Sequence, residues 1–310
     1  MEIAAVAALL AVAGLGGSRN GWLDVINNFA PMILAMGLVG VGLAWWSLDG
    51  ATRITTICVA LIAVAYGLAL IAPDLAGALA SHPQGGAQFR ILSANVWTDN
   101  PTPGLAIGEI IARDADAVFL QESNGTLRNE FVRLKSLYPY ASECPGSGVQ
   151  IFLKTPITAH GCGPGPASPS QLDWVWVETT ASDGRPVTLA TTHFSWPFPP
   201  GPQSAERTGL AASLSQLSRG DLILGGDFNT TPWSFAMRRQ DQLFAPLKRR
   251  TLAWFSWPAR LDALRRSWPL PILPIDHIYA GPNWQAASLT RLRMPGSDHF
   301  ATEAVLTRRP

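Results

Sequence analysis

One pattern recurs along this chain of 310 residues: a run rich in Ile, Leu and Val ends in an acid, an amide or an imidazole. Ile91-Leu92-Ser93-Ala94-Asn95 does so, as do Phe119-Leu120-Gln121-Glu122, Ala190-Thr191-Thr192-His193 and Leu224-Gly225-Gly226-Asp227-Phe228-Asn229. Pro274-Ile275-Asp276-His277 and Gly296-Ser297-Asp298-His299 complete the set. Strand ends gathered at one rim can bring such side chains to a single point. Carboxylates, amides and imidazoles around one point suit a hard divalent cation and phosphate chemistry, because oxygen donors select Mg²⁺ or Mn²⁺ over zinc. The chain has no His-x-x-x-His or Cys-x-x-Cys spacing for zinc. It lacks a Gly-x-x-x-x-Gly-Lys loop, a Gly-x-Gly-x-x-Gly fingerprint and a Gly-x-Ser-x-Gly elbow, which argues against nucleotide-cradling folds and serine hydrolases.

The elements that must carry these residues alternate between strand and helix. Phe89–Val96, Ala117–Leu120, Val149–Leu153, Trp174–Thr179, Val187–Thr192 and Asp221–Leu224 read as strands, followed late in the chain by Ile275–Tyr279 and Thr302–Leu306. Leu105–Arg113, Asn129–Leu137 and Ala205–Leu217 read as helices, with apolar residues at helical spacing. Gly163–Gln171, Trp196–Gln203 and Trp254–Pro274 are expected loops rich in Pro and Trp. The alternation places this part of the chain in the α/β class. Along a strand His277 points away from Asp276, so it is read as structural.

In this order the six segments resemble the endonuclease/exonuclease/phosphatase superfamily, over about Gln88–Leu306. Gly226-Asp227-Phe228-Asn229 and Ser297-Asp298-His299 carry the resemblance most strongly. It implies a four-layer α-β-β-α sandwich, the DNase-I-like fold. It implies Glu122 as the main ligand of Mg²⁺ (or Mn²⁺), with Asn95 also in the metal site, directly or through water, and Asp298 beside that metal or on a second ion. His299 would act as general base toward the attacking water, its ordinary pKa of about 6.5 being suited to neutral pH. Asp276 would accept from the other ring nitrogen and fix the tautomer. Asp227 would orient the water or protonate the leaving group, and Asn229 would hold a phosphate oxygen. His193 would donate to the phosphate and stabilise growing charge. Arg207, on the helix after the His193 strand, is expected to pack or form a salt bridge.

Composition adds a second object. The chain is 47% hydrophobic and 15% charged, with mean hydropathy +0.15, against about 25% charged residues in ordinary globular proteins. Disorder and a fibrous rod are excluded. The apolar excess sits at the start, where residues 1–83 hold only Glu2, Arg19, Asp24, Asp49, Arg53 and Asp74 as charges. Phe29–Leu48 and Ile54–Ala72 are uncharged runs of 20 and 19 residues, each about 30 Å long as a helix and able to cross a bilayer. Trp45 and Trp46 end the first run as an interfacial belt would, and Ser47–Arg53 is an expected polar turn. Ile3–Leu15 is read as a short first span rather than a signal core, since Glu2 precedes it and no Lys or Arg does.

The expected organisation is an anchor over 1–72 (two to three transmembrane helices, with spans near 1–16, 29–48 and 54–72), a linker over 73–87 and a catalytic domain over 88–310. Pro73 is expected to stop the last span. The domain holds 21 basic and 18 acidic residues, a net charge of +3 hidden behind the chain's +1. The apolar runs resemble a bacterial membrane-tethered branch of the superfamily, which implies a multi-pass protein of the bacterial inner membrane. Three spans with the N-terminus inside put the domain outside, although Arg19 and Arg53 leave the positive-inside balance even. Cys58 lies in a span and is expected to pack there. Cys144 and Cys162 flank an apolar strand and either form a disulfide or stay separate buried thiols.

These readings converge on a membrane-anchored, metal-dependent phosphohydrolase that cleaves a phosphate ester or anhydride by water attack. The tether raises the local concentration of lipids, which favours a lipid phosphate over nucleic acid. Between Arg238 and Arg266 there are eight basic residues against Asp241 and Asp262, with Trp254, Phe255, Trp257 and Trp268 interleaved or adjacent. Such a stretch suits anionic headgroups or a nucleic-acid backbone equally, or else a solvated face with core tryptophans. The alternatives are a membrane-tethered nuclease acting on DNA or RNA and, from another class, an inactive binding module. No obligate protein partner is implied.

Overall fold

The computed structural model describes residues 1–78, 87–142, 144–163, 172–261 and 266–309. Ser81–Gly86 of the expected linker, most of the 163–171 loop, and Asp262 and Arg265 of the basic stretch lie outside the described residues. The chain divides into two compact units. The first is Met1–Ala80 with Trp196–Gly201 and Thr230–Arg239. The second is Ser81–Ser195, Pro202–Asn229 and Gln240–Pro310. Two short segments from the expected catalytic range thus belong to the apolar unit.

The apolar unit is built on helices α1 (Glu2–Leu15), α2 (Gly21–Asp24), α3 (Ala30–Ser47) and α4 (Gly50–Ala78). Its burial pattern inverts that of a water-soluble bundle. Small residues face inward: Ala4, Ala7 and Ala11 on α1, Gly37, Gly40 and Ala44 on α3, Ala60, Ala63 and Gly67 on α4. A methyl group on Gly40 would lie 3.2 Å from both Ala4 Cβ and Ala60 Cβ, so three helices meet here with little room for a side chain. Large apolar side chains such as Leu38, Leu43, Ile62 and Leu68 point outward and are about half exposed, an arrangement that suits lipid better than water. The helical stretches Gly21–Ser47 and Gly50–Ala78 have mean hydropathies of 1.8 and 2.5 and are long and apolar enough to cross a membrane. With 14 residues, α1 rises only about 21 Å, short of a full span.

Two expectations at the helix ends are corrected. Pro73 does not stop the last helix, which runs on to Ala78. Proline removes one N–H from the ladder, and the Arg238 guanidinium donates to the Leu70 carbonyl in the turn it disturbs. The expected turn Ser47–Arg53 shrinks to Leu48 and Asp49. Arg53 is already on α4 and reaches back to the Leu48 carbonyl and the Asp49 carboxylate.

The second unit contains β1 (Gln88–Asn95), α5 (Pro103–Arg113), β2 (Ala117–Gln121), α6 (Phe131–Lys135), β3 (Tyr140–Ala141), β4 (Gln150–Leu153), β5 (Ala159–Cys162), β6 (Asp173–Thr180) and β7 (Pro186–His193). After it come α7 (Pro200–Leu214), β8 (Leu222–Asp227), α8 (Phe235–Leu243), β9 (Lys248–Arg249), β10 (Arg260–Leu261), β11 (Arg266–Ser267), β12 (Asp276–Ala280), β13 (Trp284–Arg293) and β14 (Phe300–Arg308). Both α7 and α8 begin in segments assigned to the apolar unit. One six-stranded sheet has the order β13-β14-β1-β2-β4-β3 and the other β5-β6-β7-β8-β12-β9, with β10-β11 a separate hairpin. Helix Asn129–Leu137 contracts to α6 behind a 3-10 turn at Thr126–Glu130, and the Trp196–Gln203 loop gives way to helix from Pro200. The sequence reading found neither α8 nor the ten-residue β13.

Alternation along the strands explains the layering. Ile91, Phe119, Ile151, Val187, Leu189, Ile223 and Ile278 bury into one core shared by the facing sheets. Their neighbours Leu92, Val118, Leu120 and Phe152 join Ala106, Ile107 and Ile110 of α5 in a second core. On the outer face of the other sheet, Phe228, Phe244 and Tyr279 stack edge to face or tilted. The result is the expected α-β-β-α sandwich. Both parallel pairs, β1–β2 and β7–β8, are crossovers carried by a helix. Asn95 ends β1, Glu122 follows β2, and His193 and Asp227 end β7 and β8. Asp276 lies opposite Asp227 in the β12–β8 register, and His299 immediately precedes β14 beside β1. All six segments therefore deliver to one rim.

Cys144 and Cys162 are joined as a disulfide. Cys144 is buried in the inter-sheet core, and Cys162 ends β5 of the opposite sheet, so the bond staples sheet to sheet. The residues are 18 apart in sequence, a loop whose closure is worth about 3 kcal/mol. We expect Cys144→Ser/Cys162→Ser protein to melt well below the wild type, and reductant to lower wild-type melting but leave the double variant unchanged.

Candidate active site

Asp227 is the hub of the rim. Burial is complete at 1% exposure, and its Oδ2 receives the Asn95 amide at 3.0 Å. The Nε2 atoms of His193 and His299 each lie 3.6 Å from the same oxygen. Its Oδ1 accepts from the Asn229 N–H at 2.8 Å. The glycine before it is obligatory, since a Cβ on Gly226 would sit 2.1 Å from the Thr192 carbonyl oxygen. This close approach is what lets β8 carry Asp227 into the rim next to His193.

On one side of the hub, His299 Nδ1 lies 2.8 Å from Asp276 Oδ2, and both residues are buried. Ser297 holds this turn, donating to the Asn95 carbonyl and accepting from the His299 N–H. Burial alone would depress the imidazole pKa. The carboxylates of Asp276, Asp227 and Asp298 outweigh it and push the group up to about 10. The ordinary value near 6.5 assumed from sequence is thereby corrected: without a cation nearby, His299 holds its proton at neutral pH. Asp227 is raised to about 6, by burial and then by the charge of Asp276.

On the other side, Asn95 Nδ2 donates to Glu122 Oε1 at 2.9 Å, and the Thr98 N–H donates to Oε2 at 3.0 Å. Burial opposes the Glu122 charge, but the Asn95 amide, the neighbouring His193 and His299 rings and the Thr98 N–H hold its pKa below the usual carboxylate value. Asn95 Oδ1 accepts from the Trp97 N–H, so Asn95 supports Glu122 through its amide protons. Asp298 takes the Trp257 indole N–H on Oδ2 at 3.1 Å, while its Oδ1 is buried without a hydrogen-bond partner. Burial raises the Asp298 pKa, and the charge of Glu122 raises it further. Glu122, held below the usual carboxylate pKa, and Asp298, with its orphaned buried oxygen, offer oxygen donors of the kind a divalent cation takes. Asp227, Asp276 and His299 also bring one ligand-type atom each within 4.8 Å of one another. Their internal hydrogen bond to the imidazole fits that trio better for moving a proton.

Asn229 and His193 form a third part. Asn229 Nδ2 lies 3.2 Å from His193 Nε2 and donates to the Phe194 carbonyl at 2.8 Å. Gln203, at the end of the expected Trp196–Gln203 loop but carried on α7, donates to the Ser195 and Phe228 carbonyls. Arg207 donates to Gln203 and Gln240, and Glu206 takes both donors of Ser195. Arg207 is thus structural support for the turn around Asn229. His277 pairs with Thr251 and packs on Phe228, away from Asp276, as alternation predicts.

The basic stretch disperses. Arg249 pairs with Asp241, Arg250 donates to the Trp284 carbonyl, and Arg260 stacks over Trp97. Trp254 donates to Thr302, while Trp257 serves Asp298. Among the described residues, Arg249, Arg250 and Arg260 turn to different partners although they are close in sequence.

Residues 92–299 match the endonuclease/exonuclease/phosphatase family. The chain belongs to this family. Enzymes of the endonuclease/exonuclease/phosphatase family hydrolyse phosphoesters and generally use divalent metals. No curated protein matches the sequence. Among solved structures, D. rerio TDP2 complexed with single strand DNA product is 18% identical with TM-score 0.57, covering 71% of this chain and 99% of its own. The human Nocturnin catalytic domain with bound sulfate anion is 17% identical with TM-score 0.55, covering 72% and 94%. A family member from Bacteroides thetaiotaomicron is 18% identical with TM-score 0.54, covering 73% and 100%. At these identities the likeness is one of fold, the DNase-I-like sandwich.

Proposed function

We propose that this chain is a membrane-anchored, divalent-metal-dependent phosphohydrolase that cleaves a lipid-linked phosphate ester or anhydride by attack of water. The observation that carries the reading is the convergence on Asp227 of a buried His299–Asp276 pair, the Asn95–Glu122 pair and the His193–Asn229 pair. Glu122 and Asp298, with Asn95 holding Glu122 in place, would bind Mg²⁺ or Mn²⁺. A divalent cation held by these residues would supply positive charge opposite the phosphoryl oxygens. His193 and Asn229 hold the phosphate and donate to charge growing on its oxygens. Asp276 orients His299, and the His299–Asp227 couple takes the proton of the attacking water and returns one to the leaving oxygen.

Two apolar helices that suit a bilayer support membrane anchoring, and the engagement of Arg249 and Arg250 by partners within the fold leaves fewer free cations for a nucleic-acid groove. The Cys144–Cys162 disulfide supports an extracytoplasmic domain, where oxidising conditions preserve such bonds. A nuclease is the second reading, favoured by the DNA product bound to D. rerio TDP2. The full chain in detergent micelles, assayed with Mg²⁺ and with Mn²⁺, should turn over lipid phosphates and lose turnover in EDTA. DNA cleavage without any lipid turnover would reverse the order of the two readings.

A further inference from the structure

The apolar unit contains a polar knot that a tether alone does not require. Asp24, Asn27 and Asn28, in the turn between α1 and α3, are 3%, 0% and 5% exposed. Asp24 and Asn28 find partners on the segment Thr230–Arg239 of the same unit. Asn28 Oδ1 accepts from the Thr231 N–H at 2.8 Å and from the Thr230 and Thr231 hydroxyls at 3.1 and 3.2 Å. The two carboxylate oxygens of Asp24 accept from the Phe235 and Ala236 N–H groups at 2.8 and 2.7 Å, capping the first turn of α8. Asn27 donates to Asp24 at 2.9 Å and is held by the Gly14 carbonyl and the Tyr66 hydroxyl. Burying an acid and two amides is costly unless every group is paired. Here the pairing is spent largely on one segment.

That segment begins at a telling place. Thr230 is peptide-bonded to Asn229, and the other inserted segment, Trp196–Gly201, begins three residues after His193. Asn229 and His193 are the hydrogen-bonded pair to which the phosphohydrolase reading gives the substrate phosphate. Asn95, Glu122, Asp276, Asp298 and His299 are far in sequence from either segment.

We propose that Asn28 and Asp24 are positioning residues: by fixing Thr230–Arg239 they set Asn229, and through it His193, for the phosphate. The proposal rests on the phosphohydrolase reading for the role of Asn229, so its test uses ligand binding as well as turnover.

The full chain in micelles should be titrated with inorganic phosphate by calorimetry, with Mn²⁺ by electron paramagnetic resonance, and with substrate for kcat and KM. Asn28→Leu removes the acceptor at similar size. It should weaken phosphate binding and raise KM roughly 10- to 100-fold, the range expected for a small misplacement of a binding group. Mn²⁺ affinity should stay at the wild-type value, since Glu122 and Asp298 are untouched. Asn28→Asp keeps the acceptor oxygen and should restore both constants. Should Asn28→Leu not fold, Asp24→Asn, which keeps one cap oxygen, should move phosphate affinity in the same direction by several-fold. Unchanged phosphate affinity in the folded variants overturns the proposal, as does a parallel loss of phosphate and Mn²⁺ binding, which marks general damage. A wild type that binds phosphate in an Asn28-dependent way but hydrolyses nothing upholds the positioning role and sinks the phosphohydrolase reading.

Discussion

Replacing Asp276 with asparagine is expected to cut turnover by about 10⁴-fold while the protein stays folded. The side chain keeps its size, but the group facing His299 Nδ1 at 2.8 Å changes from a charged acceptor to an amide that can present N–H. The ring is then free to take the other tautomer, and its Nε2, 3.6 Å from Asp227, no longer has a fixed role. His299→Ala is expected to lose a similar amount, and the double variant little more, because the two act as a unit. An Asp276→Asn enzyme retaining a tenth of wild-type turnover would remove the pair from the mechanism.

The same pair has a signature in stability. The His299 pKa is pushed up to about 10 in the folded chain, against about 6.5 for the unfolded one. Stabilisation from such a group is fully present below pH of about 6.5 and is lost as pH rises through about 10. Thermal melting in EDTA should therefore fall across this window for the wild type. Asp276→Asn removes the carboxylate that contributes most to the upward shift, so its melting should fall less, and His299→Ala should lack this component of the decline. An equal slope in all three would contradict the charge arrangement described for the rim.

The strands that carry the site were legible because each ends in chemistry. Apolar runs closing on Asn95, Glu122, His193 and Asp227 announce both the strand and the residue. Trp284–Arg293 was not legible, because an exposed face interrupts it with Gln285, Ser288, Thr290 and Arg291 and it delivers nothing to the rim. Gln203 and Glu206 were hidden for a different reason. They act on backbone carbonyls and on Ser195, and no spacing rule links a helix side chain to a loop it meets in space. The proton affinity of His299 was also out of reach, since it depends on three carboxylates from separate segments. Equally, eight basic residues in one stretch looked like a surface only because sequence cannot show that Arg249 and Arg250 turn to different partners. The polar residues Asp24 and Asn28 stand in an apolar region, but their partners on Thr230–Arg239 lie some 200 residues away.

Glu122→Gln is expected to weaken Mn²⁺ binding by at least about 100-fold and to lower turnover by a comparable or larger factor. Glutamine keeps the size and one acceptor oxygen, enough for Thr98 or Asn95 but not for both on separate oxygens, so the loss reports charge and the second oxygen. Asn95→Ala, which removes a supporting hydrogen bond to Glu122 instead of the ligand, should cost about 10- to 100-fold in affinity. Cation at about 100 times its dissociation constant should stabilise the wild type by about 2.7 kcal/mol and leave Glu122→Gln nearly unmoved. The backbone gives this residue a further mark. Glu122 has φ of 53°, and Trp97 and Asn229, both at the same rim, have φ of 59° and 47°. Each left-handed residue other than glycine costs of order 1 kcal/mol. A fold that needed only a turn after β2 would relieve this with glycine. Glu122→Gly should accordingly lose the cation response in full while falling little in melting temperature in EDTA, because relief of the backbone offsets the lost hydrogen bonds. A cation-induced rise in melting that survives Glu122→Gln would move the metal site to the Asp227, Asp276 and His299 trio, the other group in the rim with converging ligand atoms.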